Sequence, residues 1–114
     1  MTRSADRYDK AVKNRVGKSL DQQTLKSVNQ RLIQSERKLT HQDGLPIRPW
    51  FKHLIYAPGF YTGYGVKTIP GVREALEQKR WKEAESEIIR VAKALEEQSL
   101  LIEAAASDLE KGAK

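Results

Sequence analysis

A chain of 114 residues without a cysteine has no disulfide framework, thiolate zinc site or cysteine nucleophile, and its size suits one domain with a core of its own. Its formal charge of +6 is uneven: residues 1–20 carry six Lys or Arg against two acids, residues 45–69 three against none, and residues 70–114 eight against ten. No apolar run approaches the ~20 residues a bilayer span needs, and "MTRSADRYDK" lacks the apolar centre of a signal peptide, so a soluble domain without membrane contact is expected.

The first helix is expected over residues 4–17, where Tyr8, Val12 and Val16 recur four apart and Gly17 offers a stop. Arg3, Arg7, Lys10, Lys13 and Lys18 then form its solvated face. A nucleic-acid interface would gather such cations beside stacking aromatics; Arg48, Lys52, Trp50 and Tyr56 do lie together further on, but the solvated-face reading is preferred and no nucleic-acid partner is expected. Ser19 and Gln22 fit a capping box opening a second helix, whose face is Leu25, Val28, Leu32, Ser35 and Leu39 and which ends before Gly44.

Residues 44–65, "GLPIRPWFKHLIYAPGFYTGYG", hold six of the chain's eight aromatic residues and no acid. Pro46 and Pro49 push their predecessors toward extended backbone, which stops the second helix and lets Trp50, Phe51, Leu54, Ile55 and Tyr56 dock as a wedge on the helices. Arg48 is expected to pair with a helix-end carbonyl or an acid, and His53 to be a satisfied interior histidine. Gly59, Gly63 and Gly65 supply turns or close approach and no phosphate cradle, since no Lys-Ser/Thr helix start follows.

Pro70 suits the first turn of a short third helix with Val72, Ala75 and Leu76 inward, ending near Gln78. The last helix carries the stripe Trp81, Ala84, Ile88, Val91, Leu95, Ile102, Ala105 and Leu109 over about 30 residues, roughly 45 Å at 1.5 Å per residue. With almost no strand signal, the expected fold is all-α: a four-helix up-and-down bundle with short joints at 17–20 and 78–80. Between helices two and three lies a long loop, which must be ordered by function or packing.

Two short matches to metallopeptidase motifs carry little. His41-Gln42-Asp43 has the spacing of a zinc-ligand pair and Glu96-Glu97 resembles a base-and-ligand acid pair, but a two-zinc site needs about five ligands and the chain has two histidines. No Ser-His-Asp order or paired buried carboxylates appear, so no catalytic residue and no metal or cofactor is assigned within the chain.

Glu36-Arg37, Gly44-Leu45-Pro46, Arg48-Pro49, Lys52-His53, Ile55-Tyr56-Ala57-Pro58, Tyr64 and Pro70-Gly71 occur in order at nearly gapless spacing. This pattern resembles the transferrin-receptor-like dimerisation domain, the C-terminal helical domain of glutamate carboxypeptidase and other prostate-specific membrane antigen-like zinc peptidases. The resemblance implies a homodimer through a four-helix bundle. It also implies a preceding peptidase domain, outside these residues, that holds the zinc ions and the catalytic glutamate, and an exported parent that is periplasmic, extracellular or an anchored ectodomain. It further implies that the aromatic loop lines part of the pocket for the substrate's C-terminal residue. In the family a Lys-Tyr pair binds the glutamate side-chain carboxylate; the Tyr position falls on Tyr64 and the Lys position on Gly63. Losing that ammonium removes a charge-assisted hydrogen bond worth roughly 1.5–3 kcal/mol, which puts strict glutamate preference in question unless Lys67 compensates. Trp50, Tyr56, Pro58, Arg48 and His53 take structural roles in the loop. The resemblance leaves two functions open: a non-catalytic module of an active exopeptidase, or the protein-binding helical domain of a transferrin-receptor-like receptor.

Overall fold

The computed structural model describes residues 1–112. It contains helices α1 (Thr2–Lys13), α2 (Gln22–Arg37), α3 (Pro70–Glu77) and α4 (Trp81–Lys111), with strands β1 (Tyr56–Pro58) and β2 (Val66–Thr68) between α2 and α3. The all-α expectation is therefore corrected: the chain is mostly helical with a small antiparallel sheet pairing Tyr56 with Thr68, Ala57 with Lys67 and Pro58 with Val66. Three-residue strands are too short for an alternating pattern to stand out, and Pro58 masks the first one.

Two further boundaries differ from expectation. α1 ends at Lys13, and residues 14–17 continue as tighter turns in which Arg15 N–H donates to Val12 O and Val16 N–H to Lys13 O. α2 is capped by Asp21, not Ser19: the Asp21 carboxylate accepts the Thr24 N–H at 2.8 Å and the Thr24 hydroxyl at 2.7 Å. The carboxylate is the stronger acceptor at a helix N-terminus, and this geometry uses both of its oxygens. α3 starts at Pro70 as expected, after Ile69 in left-handed backbone.

The chain divides into two units: residues 1–38 with the chain from Leu95 onward, and residues 39–94. In the first, Ala11, Val28, Ala106 and Leu109 form a buried cluster with Tyr8 and Leu20 against it. Polar contacts fix the helix order. Ser4 bonds Ser99 at 3.0 Å and Glu103 at 2.9 Å, and Arg15 donates twice to Leu109 O, so α1 runs alongside α4 in the same sense. Asp108 accepts from Ser27 at 2.7 Å and Arg31 at 2.6 Å, while Gln98 donates to Ser35 at 3.1 Å, so α2 runs antiparallel to it. On α1 Ser4 and Ala11 are buried and Tyr8 packs against the cluster, while Val12 and, beyond the helix end, Val16 are exposed, so of the expected face only Tyr8 turns inward.

The second unit holds residues 39–94, and its core includes Leu45, Leu54, Ala57, Ala75, Ala84 and Val91. On α4 the buried positions here are Ala84, Glu87, Val91 and Ala94, whereas Trp81 and Ile88 are exposed. The expected stripe is thus one position off at Ile88, because Glu87 takes the inward place. Its carboxylate lies so near Gly71 that a Cβ there would collide with it, which explains a glycine in the first turn of α3. Leu76, expected inward on α3, is exposed, while Gly71 and Glu74 are buried.

Candidate functional site

Residues 40–58 are ordered by local backbone bonds. His41 N–H donates to Lys52 O, Leu45 N–H to Phe51 O, Arg48 N–H to Leu45 O and Phe51 N–H to Arg48 O, which closes a compact double turn. Ile47 adopts left-handed backbone at φ 68°, a costly conformation for a β-branched residue that the surrounding bonds enforce. Arg90 of α4 donates to Gly44 O at 2.7 Å, and Leu54 N–H and Ile69 N–H reach Leu39 O and Ile55 O.

At the centre of this turn lies Arg48, 2 % exposed. One arm of its guanidinium donates to Pro58 O and the other to Glu74 Oε1 at 2.6 Å. The same Glu74 oxygen accepts Phe60 N–H at 3.1 Å, and the rings of Phe51 and Phe60 lie 5.5 and 5.9 Å from the guanidinium carbon. Arg48 therefore pairs with an acid, as the sequence led one to expect, and its carbonyl partner is a strand end in place of a helix end. Its acid, Glu74, escapes sequence reading because a Glu on a short amphipathic helix looks solvated. The available signal is that a 22-residue stretch with cations and no acid must find its counter-charge elsewhere.

β1 and β2 frame the loop 59–65. Gly59 N–H donates to Gly65 O at 2.8 Å, Tyr64 N–H to Thr62 O at 2.7 Å and the Thr62 hydroxyl to Gly65 O at 3.3 Å. Gly63 takes φ +63°, the left-handed turn position that favours glycine. Phe60 and Tyr61 meet edge to face with ring centroids 4.8 Å apart. Tyr64 stands fully exposed. Lys67 is engaged: its ammonium pairs with Glu77, and that hydrogen bond, with help from Arg73, holds the Glu77 carboxyl below the usual carboxylate range.

The remaining loop residues divide. His53 Nδ1 accepts Ile55 N–H at 3.2 Å and Tyr56 N–H at 3.4 Å, and the Tyr56 ring lies 4.1 Å from the imidazole, so His53 organises a turn. Trp50 and Tyr56 contradict the wedge expectation: they are 68 % and 51 % exposed, and Leu54, at 2 %, is the buried anchor of the segment. The turns at Ile47 to Phe51 carry the indole outward. Among the described residues no three His, Cys, Asp or Glu side chains come together as metal ligands. His41 Nδ1 lies 3.6 Å from Asp43 Oδ2 and accepts the Asp43 N–H, an ordinary local turn, and Glu96 and Glu97 are exposed.

Comparison with known proteins gives this geometry a context. A family profile described as the transferrin receptor-like dimerisation domain matches residues 1–103. The chain is 40 % identical over 85 residues to an Arabidopsis thaliana protein named "Probable glutamate carboxypeptidase LAMP1", a match covering 68 % of this chain and 12 % of that one. It is 39 % identical over 75 residues to a "Probable glutamate carboxypeptidase" of Arthroderma benhamiae, covering 66 % and 10 %. An "Inactive zinc metalloprotease" of Schizosaccharomyces pombe is 33 % identical over 72 residues, covering 63 % and 9 %. The matched region thus spans about a tenth of the length of these relatives. With its profile match across nearly the whole chain and the ordered Arg48–Pro58 segment at its centre, the chain belongs to the transferrin receptor-like dimerisation domain family.

Proposed function

We propose that this chain is the non-catalytic dimerisation module of a glutamate carboxypeptidase-like zinc exopeptidase, and that its loop 59–65 presents Tyr64 to the C-terminal residue of the substrate. One observation carries the loop's role. A tyrosine with its whole side chain in solvent sits at the tip of a hairpin whose base is tied down by a buried ion pair. Exposed aromatics with a polar tip on an ordered support are suited to recognition. The zinc and the general base belong, on this reading, to a peptidase domain of the parent, and no step is assigned to a residue of this chain. The parent is proposed to be exported.

With Gly63 at the lysine position and Lys67 held by Glu77, no ammonium of this loop is free for a substrate carboxylate, so the parent should accept C-terminal residues other than glutamate. The test is the full-length enzyme with peptides differing only at that residue: a glutamate preference under about tenfold is expected, and a preference of 100-fold or more would contradict it.

The dimer is proposed to be a homodimer that uses apolar residues left in solvent, and a four-helix bundle belongs to the same proposal, but not in the expected up-and-down order, which α1 breaks by running in the same sense as α4. In the first unit these apolar residues are Leu32 at 44 %, Ile33 at 63 % and Leu100 at 65 % exposure. Sedimentation equilibrium of the full-length protein should give a dimer that Ile33→Asp with Leu100→Asp weakens. A monomer in the wild type would refute the proposal. The relative named as inactive favours one other reading, a receptor-type chain in which the same domain binds a protein ligand. Intact zinc ligands and a catalytic acid pair in the parent's peptidase domain would decide for the enzyme, and their loss for the receptor.

A further inference from the structure

Every residue from Phe60 to Val66 is exposed, so side-chain burial does not set the pose of the tip that carries Tyr64. What sets it is the base. Arg48 grips Pro58 O on one side of Gly59, and its partner Glu74 takes the Phe60 N–H on the other side. Glu74 and Glu77 lie three apart on α3, so they share a face, and Glu77 pairs with Lys67 on the returning strand. The returning arm of the hairpin is thus held to α3 by an ion pair, and the outgoing arm by way of Arg48, which bonds Pro58 O and pairs with Glu74. The Arg48–Glu74 pair is almost wholly buried, at 2 % and 8 % exposure, and Arg48 Nε makes no hydrogen bond among the described residues. Two buried charges of this kind contribute little net stability over an apolar pair of similar volume, so stability alone does not account for them. What they supply is direction: a planar fork fixes two acceptors in one plane.

From this geometry we infer that Arg48 and Glu74 are positioning residues that fix the height and orientation of loop 59–65 and so act on the substrate through Tyr64. The inference rests on the pocket reading of Tyr64 given above. Neither residue touches substrate; each acts through the loop backbone. Glu74 is placed here by its single carboxylate oxygen, shared between the guanidinium and the Phe60 amide, which makes the loop's first turn and the ion pair one unit.

The test uses the full-length enzyme with the double variant Arg48→Met/Glu74→Leu, an apolar substitute of similar bulk, beside Tyr64→Phe. Hydrogen exchange read on the peptide spanning Phe60 should speed up about tenfold or more in the double variant, while peptides from α2 and α4 keep their rates. KM should rise by about as much as in Tyr64→Phe, with kcat unchanged, as for lost ground-state contacts. Arg48→Lys keeps the charge without the fork and should fall between. Wild-type exchange at the loop, or faster exchange with wild-type KM while Tyr64→Phe raises KM, would overturn the inference. If Tyr64→Phe itself leaves KM unchanged, the pocket reading fails and the exchange rates alone decide whether the pair holds the loop. Should the double variant lose protection throughout, Glu74→Gln, which keeps an acceptor for Phe60 but removes the charge, replaces it with the same two readouts and the same overturning results.

Discussion

The two units of this chain are held by different means. In the unit made of α1, α2 and the C-terminal half of α4, long helices meet through side chains that include small ones and through several polar pairs, Ser4 with Ser99, Ser27 and Arg31 with Asp108, Ser35 with Gln98. In the unit of residues 39–94, order comes from turns, a six-residue sheet and a buried ion pair, with side-chain anchors concentrated at Leu45, Leu54 and Arg48. The lesson is that repetition spreads stability over many contacts, whereas an irregular segment concentrates it in a few. Single substitutions should therefore be severe at chosen points of the second unit and mild elsewhere.

The largest effect is expected at Arg48→Ala, which leaves Glu74 buried without its counter-charge and should cost about 3–5 kcal/mol. Denaturant melting checks it, and a loss below about 1 kcal/mol would break the contrast between the units. Leu54→Ala should cost about 2–5 kcal/mol as a buried large-to-small change. Trp50→Ala, despite removing the bigger side chain, should stay within about 0.5 kcal/mol because the indole is in solvent.

Acidification should sharpen the comparison, since two carboxyls shift in opposite directions. Burial holds Glu87 above its usual range; Arg90 and His41 pull it down and Glu83 pushes it up. Its charged form is thus disfavoured in the fold, and the second unit should gain stability as pH falls through this raised value toward the ordinary one. Asp108 is held low, first by the hydrogen bond from Arg31 and also by that from Ser27. Its contribution is complete above the ordinary aspartate value and is lost only as pH falls through the depressed one. Melting temperatures across pH should show Glu87→Gln flattening the slope above the ordinary carboxylate range, and Asp108→Asn flattening it below. Identical slopes in both variants would remove the distinction.

What could be read from the sequence follows the same division. α4 spans Trp81–Lys111 where its periodicity places it, and Pro70 opens α3, because 31 residues of pattern and a proline at a helix start are strong local signals. The inward face of α4 is not legible at Ile88, because hydrophobicity points to the isoleucine while the space at Gly71 admits Glu87. Left-handed backbone at Ile47, Ile69 and Lys79 has no signature in residue type, so the turns that expose Trp50 could not be foreseen. An acid partner for Arg48 is legible in the sequence, but its identity, Glu74, 26 positions away, is chosen by the fold alone.

The smallest effect on stability and the most direct test coincide at Tyr64. Its hydroxyl lies in solvent at the tip of the hairpin, so Tyr64→Phe should leave melting unchanged within about 0.5 kcal/mol. Steady-state kinetics of the full-length enzyme with a peptide substrate should show KM raised roughly 10-fold or more with kcat retained, the mark of a lost contact to the bound C-terminal residue. A variant with wild-type KM would contradict the central claim, and the exposed hairpin would then have to serve something other than the substrate pocket.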